Sequence, residues 1–335
     1  MTIWNFLIPA ILGLVLWFIL EKRKRRTSSV TGGLHEEITL PYEEEFELYH
    51  NAFSHCSRKT RLVMAELGNP YKSHPIDLIE CGSYENIGRR YLAINPSGLV
   101  PTLVHKGHPV YESDDILSYA AAHAGDNAPS LVPGVAEDVD VMNQWIKRAT
   151  LTSGNPMAGM EKGAGACIPA LTIPLFFTAI RYIPFRNIFE GFLFHPDKKR
   201  PVFFTLFKMR GINNMMKIPP LAKLLRKGRL EMIKHLDELN QRLTNHGPWI
   251  MGAQYTLADV SWTAILLRID EADWLDRFVA ENGLDAVADY YTRIKERPSW
   301  NLAITEQSHF TIERAVKDLR AAKAANDELT AAMWS

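Results

Sequence analysis

The stretch Asn95–His123, NPSGLVPTLVHKGHPVYESDDILSYAAAH, decides how the chain is read. Val100-Pro101 opens an extended run from Thr102 to His105, Lys106 and Gly107 make a turn, and a second strand returns from Val110 to Glu112. Glu112-Ser113 then stands where that strand meets a helix running from Ser113 to His123. Alone, Glu-Ser ahead of Asp114 and Asp115 is an ordinary helix start, with acids at the positive end of the dipole. A Val-Pro twelve residues before Ser113, across a Lys-Gly hairpin, makes the combination far more restrictive.

Working outward, FELYH (Phe46–His50) reads as a strand, Ser57 to Leu67 as a helix closed by Gly68, Tyr71 to Asp77 as a strand and Tyr84 to Leu92 as helical. The order is βαβ followed by ββα. After Ala136 the periodicity is helical almost throughout, with amphipathic runs near Glu137–Leu151, Arg226–Leu243, Leu257–Ile269, Leu284–Glu296 and Ile312–Leu329. The expectation is an α/β domain over 46–128, an all-α domain over 136–308 and a helical extension over 309–335.

At this point the chain resembles the cytosolic glutathione S-transferases: a thioredoxin-like α/β N-terminal domain and an all-α C-terminal domain. The resemblance makes Pro101 a cis-proline and turns the Val100 backbone toward the cysteinyl part of glutathione. It gives the γ-glutamyl group to Glu112 and Ser113, the carboxylate of Glu112 meeting the ammonium and Ser113 the carboxylate. LYHNAFSHCSRKTRLVMAELG is similar to the family's first strand and helix. Aligning Lys59-Thr60-Arg61 with the basic-x-Arg step of the theta, zeta, tau and omega classes puts Ser54 at the catalytic position. A hydroxyl there stabilises the glutathione thiolate beside a helix N-terminus, and the nucleophile belongs to the cofactor. Cys56 is the competing candidate, through a mixed disulfide with glutathione; a bare helix cap by Ser54 or Ser57 is the structural alternative. His50, His55 and Cys56 are too crowded for metal-ligand spacing, so no metal is expected.

Leu99 departs from the family, which often places Gln or Lys two residues before the cis-proline to hold the glycyl end; Arg89, Arg90 or His108 are the candidates to replace it. In the helical half, GPWIMGAQYTLADVSWTAILLRI is the second match, with Thr256 and Asp259 spaced as a capping box and Tyr255 able to staple to Val260. Arg297-Pro298-Ser299-Trp300 resembles the family's late helix break.

Ile3 to Leu20 holds 18 residues with no charge. At about 1.5 Å per residue they reach about 27 Å, near the thickness of a bilayer core. Lys22 to Arg26 follow, whereas a cleaved leader has its charge in front, so the expectation is one N-terminal transmembrane helix (anchor and basic flank, 1–26) with the body on the cytoplasmic side. Residues 27–45, short of apolar side chains and ending in Glu43 to Glu45, read as a linker. Between the expected fourth and fifth helices lies an insertion, 154–220, rich in aromatics and holding nine Lys and Arg against three acids from Asn155 to Pro220. Three roles are open to it: lying on the membrane, walling the hydrophobic-substrate site, or adding a layer to the core. Its prolines and arginines argue against a second full span. Long inserts here also occur in the ganglioside-induced differentiation-associated proteins, whose first helix LYHNAFSHCSRKTRLVMAE resembles, and in bacterial lignin β-etherases and dichloromethane dehalogenases.

Thirty-eight basic residues balance 38 acidic ones, which removes the field that draws a protein to nucleic acid. Three scattered cysteines argue against a disulfide framework and for a reducing compartment. The reading that follows from the resemblance is a membrane-anchored glutathione S-transferase that joins the glutathione thiolate to lipophilic electrophiles, a homodimer by default. The alternative is a non-catalytic module of the same fold that binds lipid, hydrophobic ligand or a protein partner at the membrane.

Overall fold

The computed structural model describes residues 4–151 and 157–334, with side chains from Phe6 onward. Ile3, the opening of the insertion at 154–156 and Ser335 lie outside the described residues. The N-terminal helix α1 is Trp4–Lys24, and a two-residue strand β1, Gly33–Leu34, follows. The α/β domain then runs β2 Phe46–His50, α2 His55–Leu67, β3 Lys72–Pro75, α3 Arg89–Leu92, β4 Thr102–His105, β5 His108–Tyr111 and α4 Ser113–Ala122. The strand order is β1-β5-β4-β2-β3, parallel between β2 and β3 and antiparallel elsewhere. Lys106 and Gly107 make the β4–β5 turn with φ of 50° and 88°.

Ser54 starts α2 and Gly68, left-handed at φ 67°, ends it. Three expectations differ in detail. The stretch Tyr84–Leu92 divides into a 3-10 turn and α3 because Gly88 is extended between them. The last helix divides into α15 Phe310–Ala324 and α16 Asp327–Trp334, because the Asn326 side chain accepts from Leu329 N at 2.9 Å and starts a new helix. Residues 27–45 are not a free tether: β1 pairs with β5, and Ser28 N, His35 N and Leu40 N donate to the carbonyls of Pro96, Pro109 and Gly107.

The helical domain comprises α5 Ala136–Ala149, α6 Ala164–Leu171, α7 Ile173–Ala179, α8 Phe185–Phe194, α9 Lys199–Arg210, α10 Pro219–His246, α11 Leu257–Glu271, α12 Leu275–Asn282, α13 Asp285–Lys295 and the short α14 Pro298–Trp300. Its centre is α11, buried from Leu257 to Ile269 and packed on α2 and α5. The capping box forms: Thr256 N donates to Asp259 Oδ2 at 2.8 Å, while Ile250 N and the Tyr290 hydroxyl both reach Asp259 Oδ1 at 2.9 Å. The insertion adds α6 and α7 to the core, against α10 and α15. Ala164–Tyr182 is apolar and long enough to cross a membrane, but 78% of it is buried within the protein. Trp334 stacks on Trp274 at 5.6 Å, so the C-terminal extension packs on the body.

Candidate active site

The loop before α2 is held from every side. Asn51 Oδ1 accepts from Phe53 N at 2.8 Å and Ser54 N at 3.0 Å, and its Nδ2 donates to Ile76 O at 2.8 Å. Three buried arginines take the loop carbonyls: Arg61 that of Asn51 at 2.9 Å, Arg58 that of Ala52 at 3.1 Å and Arg268 of α11 that of Phe53, whose ring lies 3.7 Å from the Arg268 guanidinium. Arg58 in turn makes a two-pronged pair with Glu271 at 2.7 and 2.6 Å. Burial, then the Arg58 charge, lower Arg61 and Arg268 to about 9, which leaves both protonated at neutral pH.

Ser54 is the N-cap of α2: its Oγ accepts from Ser57 N at 3.2 Å. Capping uses a lone pair and leaves the hydroxyl proton free to donate into the cavity that Ser54 lines. Cap and donor are therefore compatible in one side chain. Cys56, half-buried on the first turn, lines the same cavity, but burial pushes its thiol up against the lowering influence of Lys59 and Ser113. A raised thiol is a poor attacking group at neutral pH. His50 and His55 have separate partners: His50 meets Ser73 Oγ at 2.8 Å and Arg61, and His55 faces the Ala149 carbonyl.

Val100-Pro101 is a cis peptide. The carbonyl of Leu99 is taken by Asn95 Nδ2 and the Tyr91 hydroxyl, whereas among the described residues the main-chain N–H and C=O of Val100 have no hydrogen-bond partner. They form a donor and acceptor pair at the cavity wall, as an extended peptide requires. Glu112 caps α4 with φ +62°, a conformation costing a non-glycine residue on the order of 1–3 kcal/mol. Ser113, the first residue of the helix, is buried beside it. Partial burial and then the charges of Asp115 and Asp114 raise the Glu112 carboxyl, with Lys59 opposing. Lys59, wholly buried, pairs with Asp114, and Thr150 donates to the same carboxylate, which ties α2, α4 and the end of α5 together.

Ser54, Cys56, Val100, Pro101, Glu112 and Ser113 thus share one cavity of about 440 Å³. Leu99 and Val30 stand at its edge, and Phe53, Ile168, Pro169 and Phe176 give it an apolar wall. The insertion is therefore both core and wall. Arg89, Arg90 and His108 do not line the cavity: Arg89 pairs with Glu21, and the His108 ring meets the Ile38 carbonyl at 2.9 Å. The cations that do line it, Arg200 and Arg268, escaped the sequence reading, as did Asn51, Glu80, Tyr84 and His195. Arg200 pairs with buried Glu80, and burial lowers His195 to about 4. Two signals were available: an Asn two residues before Phe53, placed to bond its own backbone, and a lone arginine inside an apolar helix.

Two family descriptions match the chain, "Glutathione S-transferase, N-terminal domain" over residues 53–123 and "Glutathione S-transferase, C-terminal domain" over 222–301. The tetrachloro-p-hydroquinone reductive dehalogenase of Sphingobium chlorophenolicum is 27% identical over 77% of this chain and 95% of its own. The ganglioside-induced differentiation-associated protein 1-like 1 of Homo sapiens is 24% identical over 82% of this chain and 77% of its own. Among solved structures, the β-etherase LigF of Sphingobium sp. strain SYK-6 shares the fold with a TM-score of 0.62 at 19% identity, covering 79% of this chain and 98% of that one.

Proposed function

We infer that this chain, which carries the paired N- and C-terminal domains of the glutathione S-transferase superfamily, is a glutathione-dependent transferase acting on lipophilic electrophiles. Glutathione is the co-substrate. The observation that carries the reading is the convergence of Ser54, the unpaired Val100 main chain and Glu112-Ser113 on one cavity, at the N-termini of α2 and α4.

Glu112 accepts the γ-glutamyl ammonium, Ser113 and the first N–H groups of α4 meet its carboxylate, and Val100 pairs with the cysteinyl backbone. The Ser54 hydroxyl donates to the sulfur, and the α2 dipole with Arg58, Arg61 and Arg268 behind it favours the thiolate. The sulfur then attacks an electrophilic carbon; an S–C bond forms and the leaving group departs with its electron pair. The relatives named a reductive dehalogenase and a β-etherase act, by those names, on carbon–halogen and ether bonds, whose halide and oxygen are leaving groups such a displacement would expel. The apolar wall from Phe53 and the insertion suits a lipophilic partner.

The same proposal makes α1 a membrane anchor with the body on the cytoplasmic face. Its support is an apolar helix that, Phe18 apart, is left uncovered by protein from Phe6 to Leu20, followed by Lys22 to Arg26.

Ultraviolet difference absorbance in the thiolate band, recorded while glutathione is titrated into the full chain, tests the chemistry. Saturable thiolate signal at neutral pH is expected, retained in Cys56→Ser and lost in Ser54→Ala, whose kcat/KM falls about 10²-fold. Loss in Cys56→Ser with retention in Ser54→Ala reverses the roles. No binding at millimolar glutathione turns the reading to the non-catalytic module.

A further inference from the structure

The helix α8 has two apolar faces. Ile188, Gly191 and Phe194 point inward, and a Cβ on Gly191 would lie 2.7 Å from the Tyr84 ring, which walls the cavity. Phe185, Phe189 and Phe192 recur at helical spacing on the other side and are 56%, 59% and 38% exposed. Thr205 and Lys208 of α9 adjoin this face, and Val202, Phe203 and Met209 of α9 are also exposed. An outward row of phenylalanines is not needed to bury the core.

Its surroundings say what covers it. Residues 185–210 contain six Lys and Arg against Glu190 and Asp197. Glu190 is engaged by Arg25, and among the described residues Arg186, Lys199 and Arg210 have no carboxylate within ion-pair distance. The root of α1 is seated on the same helix: Phe18 meets Phe194 at 5.8 Å, the Arg25 guanidinium lies 4.5 Å over the Phe194 ring, and Arg25 reaches Glu190 at 2.5 Å. Phe18 is in the last apolar turn before the basic flank, so Phe194 stands at the level where the uncovered apolar surface of α1 ends.

We propose that the outer face of α8 and α9 docks on an anionic lipid bilayer, the phenylalanines entering the interface and Arg186, Lys199 and Arg210 facing the headgroups. This rests on the reading of α1 as an anchor. One side of α8 would then touch lipid while the other backs Tyr84, bringing the substrate cavity to about one helix diameter, roughly 10 Å, from the membrane. A lipophilic electrophile dissolved in the bilayer would be presented to the cavity without crossing water.

The test uses the full chain in lipid nanodiscs, in a Cys56→Ser background where Cys81 and Cys167 are buried. A fluorophore is attached in turn at Phe189→Cys, at Leu12→Cys on α1 and at Glu296→Cys at the end of α13, which packs on α10 and α11. Lipids carrying a nitroxide at a shallow position or deep in the acyl chain supply the quenchers, the deep one for position 12 and the shallow one for position 189. The expected result is loss of fluorescence at positions 12 and 189 but not 296, with the loss at 189 greater when phosphatidylserine is added to phosphatidylcholine. Quenching at 12 without quenching at 189 overturns the docking and leaves the anchor standing. No quenching at either position overturns both, and a loss at 189 indifferent to phosphatidylserine overturns the electrostatic part.

Discussion

Glu112 carries two costs in one residue, a left-handed backbone and a carboxylate crowded by Asp114 and Asp115. Both are understandable where a cation is to be received, because the ammonium of a γ-glutamyl group offsets the crowding. The consequence is a pH profile. The carboxylate form binds the ammonium, so affinity is full above the Glu112 pKa and is lost as pH falls through it. Partial burial and the neighbouring acids raise that pKa above its ordinary 4.5, so glutathione affinity declines at a pH where a free glutamate is still ionised. Calorimetric titration across mildly acidic pH checks this: wild type weakens over that range, while Glu112→Gln is weak and flat throughout. A wild-type profile as flat as the variant's removes Glu112 from the site. The local setting of Ser54, Glu112 and Ser113 at helix starts was legible in the sequence, while the roles proposed for them rest on the family resemblance. Asn51 and Arg268 each left a local signal, but part of what they hold lies far away in sequence: Asn51 bonds the Ile76 carbonyl, and Arg268 reaches Phe53 from α11.

Among elements, those with strong local signals were readable nearly to the residue. β2 occupies Phe46–His50, and α11 begins at Leu257, just after the Thr256 cap. β1 was not readable: two residues following a run of polar and small side chains have no periodicity, and the strand exists only because the edge of β5 offers unpaired groups. That strand matters for the site. Val30 lines the cavity, and Gly32 passes so close to α4 that a Cβ would lie 2.0 Å from Asp115 Oδ2 and 3.2 Å from Glu112 Cγ. The Asp115 terminus can swing aside, but moving Glu112 Cγ requires a new χ1 and so displaces the carboxylate. Gly32→Val is therefore expected to raise KM for glutathione with a smaller effect on kcat, since Ser54 and the arginines behind it are untouched. Steady-state kinetics at saturating electrophile check it, and an unchanged KM would place the strap outside the binding site.

At the scale of the whole molecule, the question is whether α1 is part of the fold or an attachment to it. Among the described residues its contacts with the body include the Phe18–Phe194 ring pair, the Arg25 guanidinium over the Phe194 ring, and the pairs of Glu21 and Arg25 with Arg89 and Glu190. Arg89 and Glu190 are 48% and 32% exposed as side chains, and Glu21, though buried, leaves together with the helix, so each ion pair is worth on the order of 0–1 kcal/mol. The aromatic contact adds about 0.5–1.5 kcal/mol. Against this stands the core formed by α2, α6, α10 and α11 with the sheet, to which α1 contributes only the partly buried Phe18. With about 0.5–1 kcal/mol for the Arg25–Phe194 contact, the sum predicts that a chain beginning at Thr27 folds, with β1 still paired to β5, and is about 1–4.5 kcal/mol less stable than the full chain. The same truncation removes the whole apolar run from Ile3 to Leu20, and with it the anchoring proposed for α1. Two measurements on one pair of proteins separate these effects. Resistance to alkaline carbonate extraction from membranes is expected of the full chain and lost on truncation, while urea unfolding of the truncated chain remains cooperative at a lowered midpoint. A truncated chain that stays in the carbonate-resistant fraction would shift the anchoring to α8 and α9, and one that fails to fold would make α1 a structural helix of the body.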